Sequence, residues 1–264
     1  MPTSNTYISR TADADGIIRY ADEEHRVWHD LVARQLPLLE GRACDEYVRA
    51  LDVMDFPPDR IPQLDDVSNV LRAHTGWTVA PVPALIDFPA FFELLANRQF
   101  PAATFIRNRD DFDYLEEPDI FHEIFGHTPL LTDRRFAAFA EAFGKVGLAA
   151  DKQDHAMLAR LYWFTVEFGL LNTASGLRSY GAGIISSPGE LEYAAKSDIP
   201  ERRPFDPLDM LRTPYRIDIY QTVYFVIDSF DALYDLARAD LMQLVRAARK
   251  LGMHAPTYPV KQSA

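Results

Sequence analysis

The run Met157-Leu158-Ala159-Arg160-Leu161-Tyr162-Trp163-Phe164-Thr165-Val166-Glu167-Phe168-Gly169-Leu170-Leu171 is apolar around nearly its whole circumference if wound as a helix, and Glu167 lies within it. A helix that is hydrophobic on all sides has to be buried. An ionised carboxylate in such surroundings costs several kcal/mol unless it is paired or bound to a metal. Arg160 stands two turns away, which makes an ion pair within the segment a poor answer. Any fold of this chain must therefore bring a cation to Glu167 from elsewhere in the sequence.

The stretch Glu117-Pro118-Asp119-Ile120-Phe121-His122-Glu123-Ile124-Phe125-Gly126-His127-Thr128-Pro129 supplies the partners. Pro118 suits the first position of a helix, and Glu117 and Asp119 suit its positive end. Gly126 and Pro129 predict that the helix ends within about two turns. The histidines are spaced i, i+5, not i, i+4 as in the zinc-protease motif. Five residues at roughly 100° each leave the two imidazoles about 140° apart on a straight helix, so they can face one ion only if the helix breaks before His127. Gly126 is the expected break. His25 and His29 form a second pair, at i, i+4, but Glu23, Glu24 and Asp30 beside them read as a solvated charged face, and the pair is taken as a bystander.

Composition narrows the function classes. A net charge of −12 without a long Lys/Arg run argues against nucleic acid and anionic membranes as partners. Cys44 is the only cysteine, so neither an intrachain disulfide nor a cysteine-rich zinc site is available, and a reducing cytoplasm fits. The N-terminus lacks signal-peptide character and no uncharged apolar run approaches about 18 residues.

The expected organisation is an N-terminal arm over 1–20, one mainly helical domain with a small β element over 21–251, and a tail over 252–264. Helices are predicted from Ala21 to about Leu39, stopped by Pro37 and Gly41, and over 44–54, 64–74, 88–97, 133–148, 157–171, 206–212 and 230–251. The proline-rich run Val79–Asp87 reads as an ordered loop, residues 100–107 as extended, and Tyr215–Ile227 as a β-rich stretch. The glycine-rich Tyr180–Glu190 lacks the spacing and lysine of a phosphate loop and reads as a tight structural loop.

Two histidines and a carboxylate on one face of an ion leave positions open, the facial arrangement of non-haem Fe(II) oxygen chemistry. Zinc hydrolysis with Glu123 as base is the rival, and a catalytically silent binding protein is a third possibility. Phe121, Phe125, Tyr162, Trp163 and Phe164 suggest a dry pocket suited to an aromatic substrate in any of these cases.

From about Glu24 to Leu251 the sequence resembles the pterin-dependent aromatic amino acid hydroxylases, most closely their bacterial, phenylalanine-hydroxylating members. The most specific matches are Glu117–Glu123, Gly126-His127, Tyr162–Gly169 and Tyr180-Gly181-Ala182-Gly183. The resemblance implies an aromatic amino acid hydroxylase-like catalytic domain in which His122, His127 and Glu167 bind Fe(II). Ala84, Leu85, Ile86, Phe91 and Glu123 are implied to meet a tetrahydropterin. Arg107, Pro118, Trp163, Gly183, Ser186 and Ile217 are implied on the substrate side, with Arg107 holding the amino-acid carboxylate and Ser186 steadying an iron-binding histidine. Glu123, Trp163 and Ser186 are implied to act at the reacting centre. The reaction implied is hydroxylation of L-phenylalanine to L-tyrosine with O2 and reduced pterin. Ala84 replaces a glycine common in the family's pterin loop, and Leu115 a threonine of the animal enzymes. The regulatory domain and oligomerisation helix of the animal enzymes have no counterpart here, and a monomer is expected.

Overall fold

The computed structural model describes residues 7–83, 85–113, 115 and 117–258. Helix α1 (Asp22–Leu39) buries Val27, Trp28, Leu31 and Val32, the stripe expected from its periodicity. Pro37 lies inside α1 and does not stop it. It falls in the final turn, so little helix follows the N–H it removes. Helices α2 (Asp45–Met54) and α3 (Leu64–His74) follow as expected.

The proline-rich segment is not all loop. Strand β1 (Thr78–Val82) pairs in parallel with β2 (Gln99–Ala103), and α4 (Phe88–Ala96) is the crossover between them. A two-stranded sheet leaves every strand with an outer edge, which is where proline is tolerated in a ladder; Pro81 and Pro101 both use this freedom. Asp87 caps α4 by accepting the N–H of Ala90 at 3.0 Å. Residues 7–10 lie against this unit: the Tyr7 ring stacks on Phe105 at 5.0 Å, and the Ser9 hydroxyl donates to the Val82 carbonyl at 2.9 Å.

A π-helix (Phe121–His127) and a short 3-10 helix (Pro129–Thr132) lead to α5 (Arg134–Ala149), whose cap Asp133 receives two backbone N–H groups. Next, α6 (Lys152–Tyr162) widens into a second π-helix (Trp163–Glu167) and gives way at once to strand β3 (Gly169–Thr173). The expected helix over 157–171 thus ends at Glu167, and the apolar residues 169–171 are a buried strand. Apolarity alone does not separate a buried helix from a buried strand.

Strand β4 (Gly176–Ser179) forms a hairpin with β3; α7 (Ala182–Ile185), α8 (Pro188–Lys196), β5 (Glu201–Pro204) and α9 (Pro207–Arg212) come next. Of the expected β-rich stretch Tyr215–Ile227 only β6 (Val223–Ile227) is strand. The four-stranded sheet runs β4-β3-β6-β5, with β3 and β5 both parallel to β6. The last predicted helix is two, α10 (Asp231–Arg238) and α11 (Leu241–Leu251), because Asp240 accepts the N–H of Gln243 at 2.9 Å and begins a new helix. Helices dominate, as expected, but among the described residues two sheets of two and four strands carry more of the frame than a small β element implies. Among the described residues no helix is long and apolar enough to cross a membrane.

Candidate metal centre

The i, i+5 spacing of the histidines is resolved by widening the helix, not by breaking it. In a π-helix the backbone bonds run i to i+5, so residue i+5 comes round over residue i. His122 and His127 therefore share a face. Gly126 lies inside this turn and does not cap it; a Cβ there would meet the Ala182 carbonyl at 3.2 Å and the Ala182 Cβ at 3.3 Å. The glycine lets the π turn approach α7. Pro118 precedes the helix and does not open it, since the first helical residue is Ile120. Asp119 supplies the N-terminal bond instead, accepting the backbone N–H of His122 at 3.1 Å.

The second π turn serves Glu167 in the same way. The N–H of Phe168 donates to the Trp163 carbonyl at 2.9 Å, an i to i+5 bond that ends the helix beside the two histidines. Glu167 thereby sits 3.2 Å from His127 Nε2 through Oε1 and 3.6 Å from His122 Nε2 through Oε2, and the two Nε2 atoms are 3.0 Å apart. Three donors on one face of an ion with bonds of about 2.1 Å are separated by roughly 3 Å. The donor set therefore fits a single divalent ion bound facially, the 2-His-1-carboxylate arrangement.

Protonation agrees with that fit. The Ser186 hydroxyl donates to the Ala182 carbonyl at 2.8 Å, so towards His122 Nδ1, also at 2.8 Å, it can only accept. That fixes the proton on Nδ1 and turns the lone pair of Nε2 towards Glu167. Burial, and then His127, push the His122 imidazole down to about 4, so it is neutral at physiological pH. Burial opposes ionisation of Glu167, but His127, His122 and the Gly183 N–H outweigh it and hold the carboxyl below its ordinary value.

Glu123 is the competing carboxylate: one of its oxygens and one nitrogen of each histidine lie within 4.8 Å of one another. Burial, with Glu167 and Asp119 adding to it, pushes its carboxyl well above the ordinary range. Glu167 is the better third donor because it contacts both imidazoles and is held ionised.

A cavity of about 180 Å³ opens on these donors and is lined by Val82, Leu85, Ile86, Phe91, Phe100, Pro101, Pro118, Tyr162 and the four polar residues above. A larger hollow of about 910 Å³ lies between residues 17–20, the end of α2 and α3. It contains His25 but no group of metal-capable side chains among the described residues. The chemistry belongs to the smaller cavity. His25 Nδ1 accepts the Ile61 N–H, and His29 Nδ1 lies 3.1 Å from the Pro58 carbonyl, so both histidines serve the loops beside α1.

The other expected site residues divide. Arg107 is buried and paired with Asp119, a residue whose importance was visible only as one more acid in the motif. The Trp163 indole N–H donates to Gln221 Oε1 at 2.9 Å and its ring stacks on Tyr215 at 4.2 Å. Gly183 is pressed against Phe168, where a Cβ would come within 2.7 Å of the ring. Ile217, expected on the pocket wall, is 58% exposed on a bend. Ala84 lies outside the described residues. Gln221 was not singled out by any sequence pattern.

Fold and donor set together fit a mononuclear metalloprotein of the 2-His-1-carboxylate class. A family model described as biopterin-dependent aromatic amino acid hydroxylase matches residues 5–250. Phenylalanine-4-hydroxylase of Pseudomonas aeruginosa is 55% identical over 98% of this chain and 98% of its own length. The apo structure of the cold-active phenylalanine hydroxylase of Colwellia psychrerythraea 34H superposes with a TM-score of 0.95 at 52% identity, covering 98% of this chain and 100% of that one. The Chromobacterium violaceum phenylalanine hydroxylase, solved with bound oxidised Fe(III), gives a TM-score of 0.87 at 46% identity, covering 89% and 86%. The chain belongs to the biopterin-dependent aromatic amino acid hydroxylase family.

Proposed function

We infer that the chain is a phenylalanine 4-monooxygenase, using Fe(II) and a tetrahydropterin to convert L-phenylalanine to L-tyrosine with O2. The observation that carries this is the facial convergence of His122, His127 and Glu167 beside an apolar cavity in a member of that family. His122, His127 and Glu167 hold Fe(II), and Ser186 keeps His122 in the tautomer that can do so. When bound, Fe(II) and the reduced pterin supply the electrons and the activated oxygen.

The chain's own residues provide placement and exclude water. The Phe91 ring, with Leu85 and Ile86, offers apolar contact to the pterin, and Glu123 lines the same cavity. Arg107, held by Asp119, receives the carboxylate of the amino acid. Pro118, Trp163, Gly183 and Ser186 form the substrate side, with Trp163 fixed by Gln221 and Tyr215 as a rigid wall; the exposed Ile217 is left out of it. Residues 21–251 make up the catalytic domain, with 1–20 as an arm and 252–264 as a tail. The enzyme works as a cytoplasmic monomer.

The test is O2 consumption and product identity with tetrahydropterin, on protein reconstituted with Fe(II) or with Zn(II), offered phenylalanine, tyrosine or tryptophan. Tyrosine formation from phenylalanine with iron alone is the expected result. Turnover with zinc, a higher kcat/KM for tryptophan, or a 3-hydroxylated product would overturn it.

A further inference from the structure

The π turn that brings His127 over His122 ends against a proline, and this creates a backbone problem. In an α-helix the Phe125 carbonyl would accept from the N–H of residue 129, and in a π-helix the Ile124 carbonyl would do so. Residue 129 is Pro129, which has no N–H. Ile124 and Phe125 are both buried, 0% and 1% exposed, so water is not at hand to replace it. A buried carbonyl left without a partner is destabilising.

Two side chains supply the missing donors. The Thr128 hydroxyl donates to the Ile124 carbonyl at 2.7 Å, and the hydroxyl of Tyr47, a fully buried residue on α2, donates to the Phe125 carbonyl at 2.5 Å. Tyr47 is fixed in turn. Its backbone N–H donates to the Cys44 sulfur at the cap of α2, and the Cys44 N–H donates to the Ser179 carbonyl at the end of β4. The ring packs edge-on against Phe125 at 6.4 Å.

We propose that Tyr47 and Thr128 are positioning residues of the metal centre: the Thr128 hydroxyl takes the place of the N–H that Pro129 lacks at Ile124, the Tyr47 hydroxyl occupies the Phe125 carbonyl that the α register would have used, and together they hold the turn in the π register that aims His127 at the ion. Neither side chain touches the donor atoms; they act through the carbonyls three and two residues before His127. The alternative α register rotates His127 by about 140° from His122 and removes it from the ion. The inference rests on the ligand set proposed above.

Co(II) serves as the probe, because its visible absorption reports ligand number and geometry without turnover. Its affinity is measured by competition with a chelator. Tyr47→Phe removes one oxygen and keeps the ring; it is expected to weaken Co(II) binding about 10- to 100-fold, the usual effect of losing a group behind a ligand, and to change the absorption bands. Thr128→Val should do the same and Thr128→Ser should restore parent values. Parent affinity and spectrum in both Tyr47→Phe and Thr128→Val, even with a lowered Tm, would overturn the proposal by showing the hydroxyls to be merely structural. If Tyr47→Phe does not fold, the Thr128→Val and Thr128→Ser pair decides. His127→Ala separates the layers: if it is metal-poor while Tyr47→Phe and Thr128→Val behave as parent, only the positioning role fails, whereas parent affinity in His127→Ala overturns the ligand set and the positioning role together.

Discussion

Asp119 grips the guanidinium of Arg107 along one edge, through Nε at 2.8 Å and Nη2 at 2.9 Å, and the same carboxylate accepts the backbone N–H of His122. One buried acid therefore ties the cation expected to meet substrate to the start of the metal-bearing turn. Burial opposes the charge of Asp119, but Arg107 and the backbone bonds hold its carboxyl below the ordinary value.

Arg107→Ala is consequently a poor probe of substrate binding. It would leave Asp119 buried and unpaired, at a cost of about 3–5 kcal/mol, and disturb His122 as well. Arg107→Lys keeps the charge but loses the bidentate fork. Its KM for phenylalanine should rise by about tenfold or more, near the effect of one charge-assisted hydrogen bond, with metal content close to one per chain. An unchanged KM would remove Arg107 from the substrate site.

Metal analysis of purified variants tests the ligand set. Alanine at His122, His127 or Glu167 should each abolish stoichiometric metal, because losing one of three protein donors leaves an incomplete site. The His25→Ala, His29→Ala double variant should keep its metal while losing some stability, since those rings bond to the loops at Ile61 and Pro58. Full metal in His127→Ala, or its loss in the double variant, would reverse the assignment.

The convergence of His122, His127 and Glu167 was legible in the sequence because of its cost: a carboxylate in an apolar run and two histidines in one short motif both demand an explanation. Their geometry was not. A straight-helix reading of the i, i+5 spacing leads to a break at Gly126, whereas the chain widens its helix, and nothing local in Phe121–His127 distinguishes the two. The determinants lie elsewhere, in Ala182 against Gly126 and in Tyr47 and Thr128 at the carbonyls. The errors at β1 and at residues 169–171 have a similar origin, because partner strands decide whether a proline-rich or uniformly apolar segment becomes a ladder. The helix starts expected near 88 and 133 agree with the structure, since their caps Asp87 and Asp133 take donors that lie within three residues.

Gly181 should be nearly irreplaceable. A Cβ there would lie 2.3 Å from the Glu167 carbonyl oxygen and 2.5 Å from the Gly169 nitrogen, both backbone atoms at the junction that presents Glu167. Gly181→Ala should lose about 3 kcal/mol or more and bind Co(II) less tightly. Gly126→Ala, with contacts of 3.2 and 3.3 Å, should be milder, about 1–2 kcal/mol. Urea denaturation orders the two; equal stabilities would mean that the backbone at Glu167 yields more readily than its packing indicates.

Glu190 should make stability depend on pH with the opposite sign to an ordinary paired carboxylate. It is 5% exposed, accepts the Tyr224 hydroxyl and accepts the Gln221 N–H at 3.1 Å. Burial raises its pKa above 4.5, and the two hydrogen bonds only partly offset that. Below pH 4.5 the folded and unfolded chains both hold the proton, so the contribution is complete. As pH rises from 4.5 towards the raised folded value, the unfolded chain releases its proton first and stability falls, by at most about 1.4 kcal/mol per pH unit for one group. Glu190→Gln removes this titration while its amide oxygen can still accept from Tyr224. The stability difference between parent and variant, measured by urea denaturation at intervals above pH 4.5, should therefore move in favour of Glu190→Gln as pH increases. Gln221 also holds the Trp163 indole, so the fluorescence of that tryptophan should follow the same titration in the parent and not in the variant; parallel stability curves would show that Glu190 ionises in the folded chain as readily as in the unfolded one.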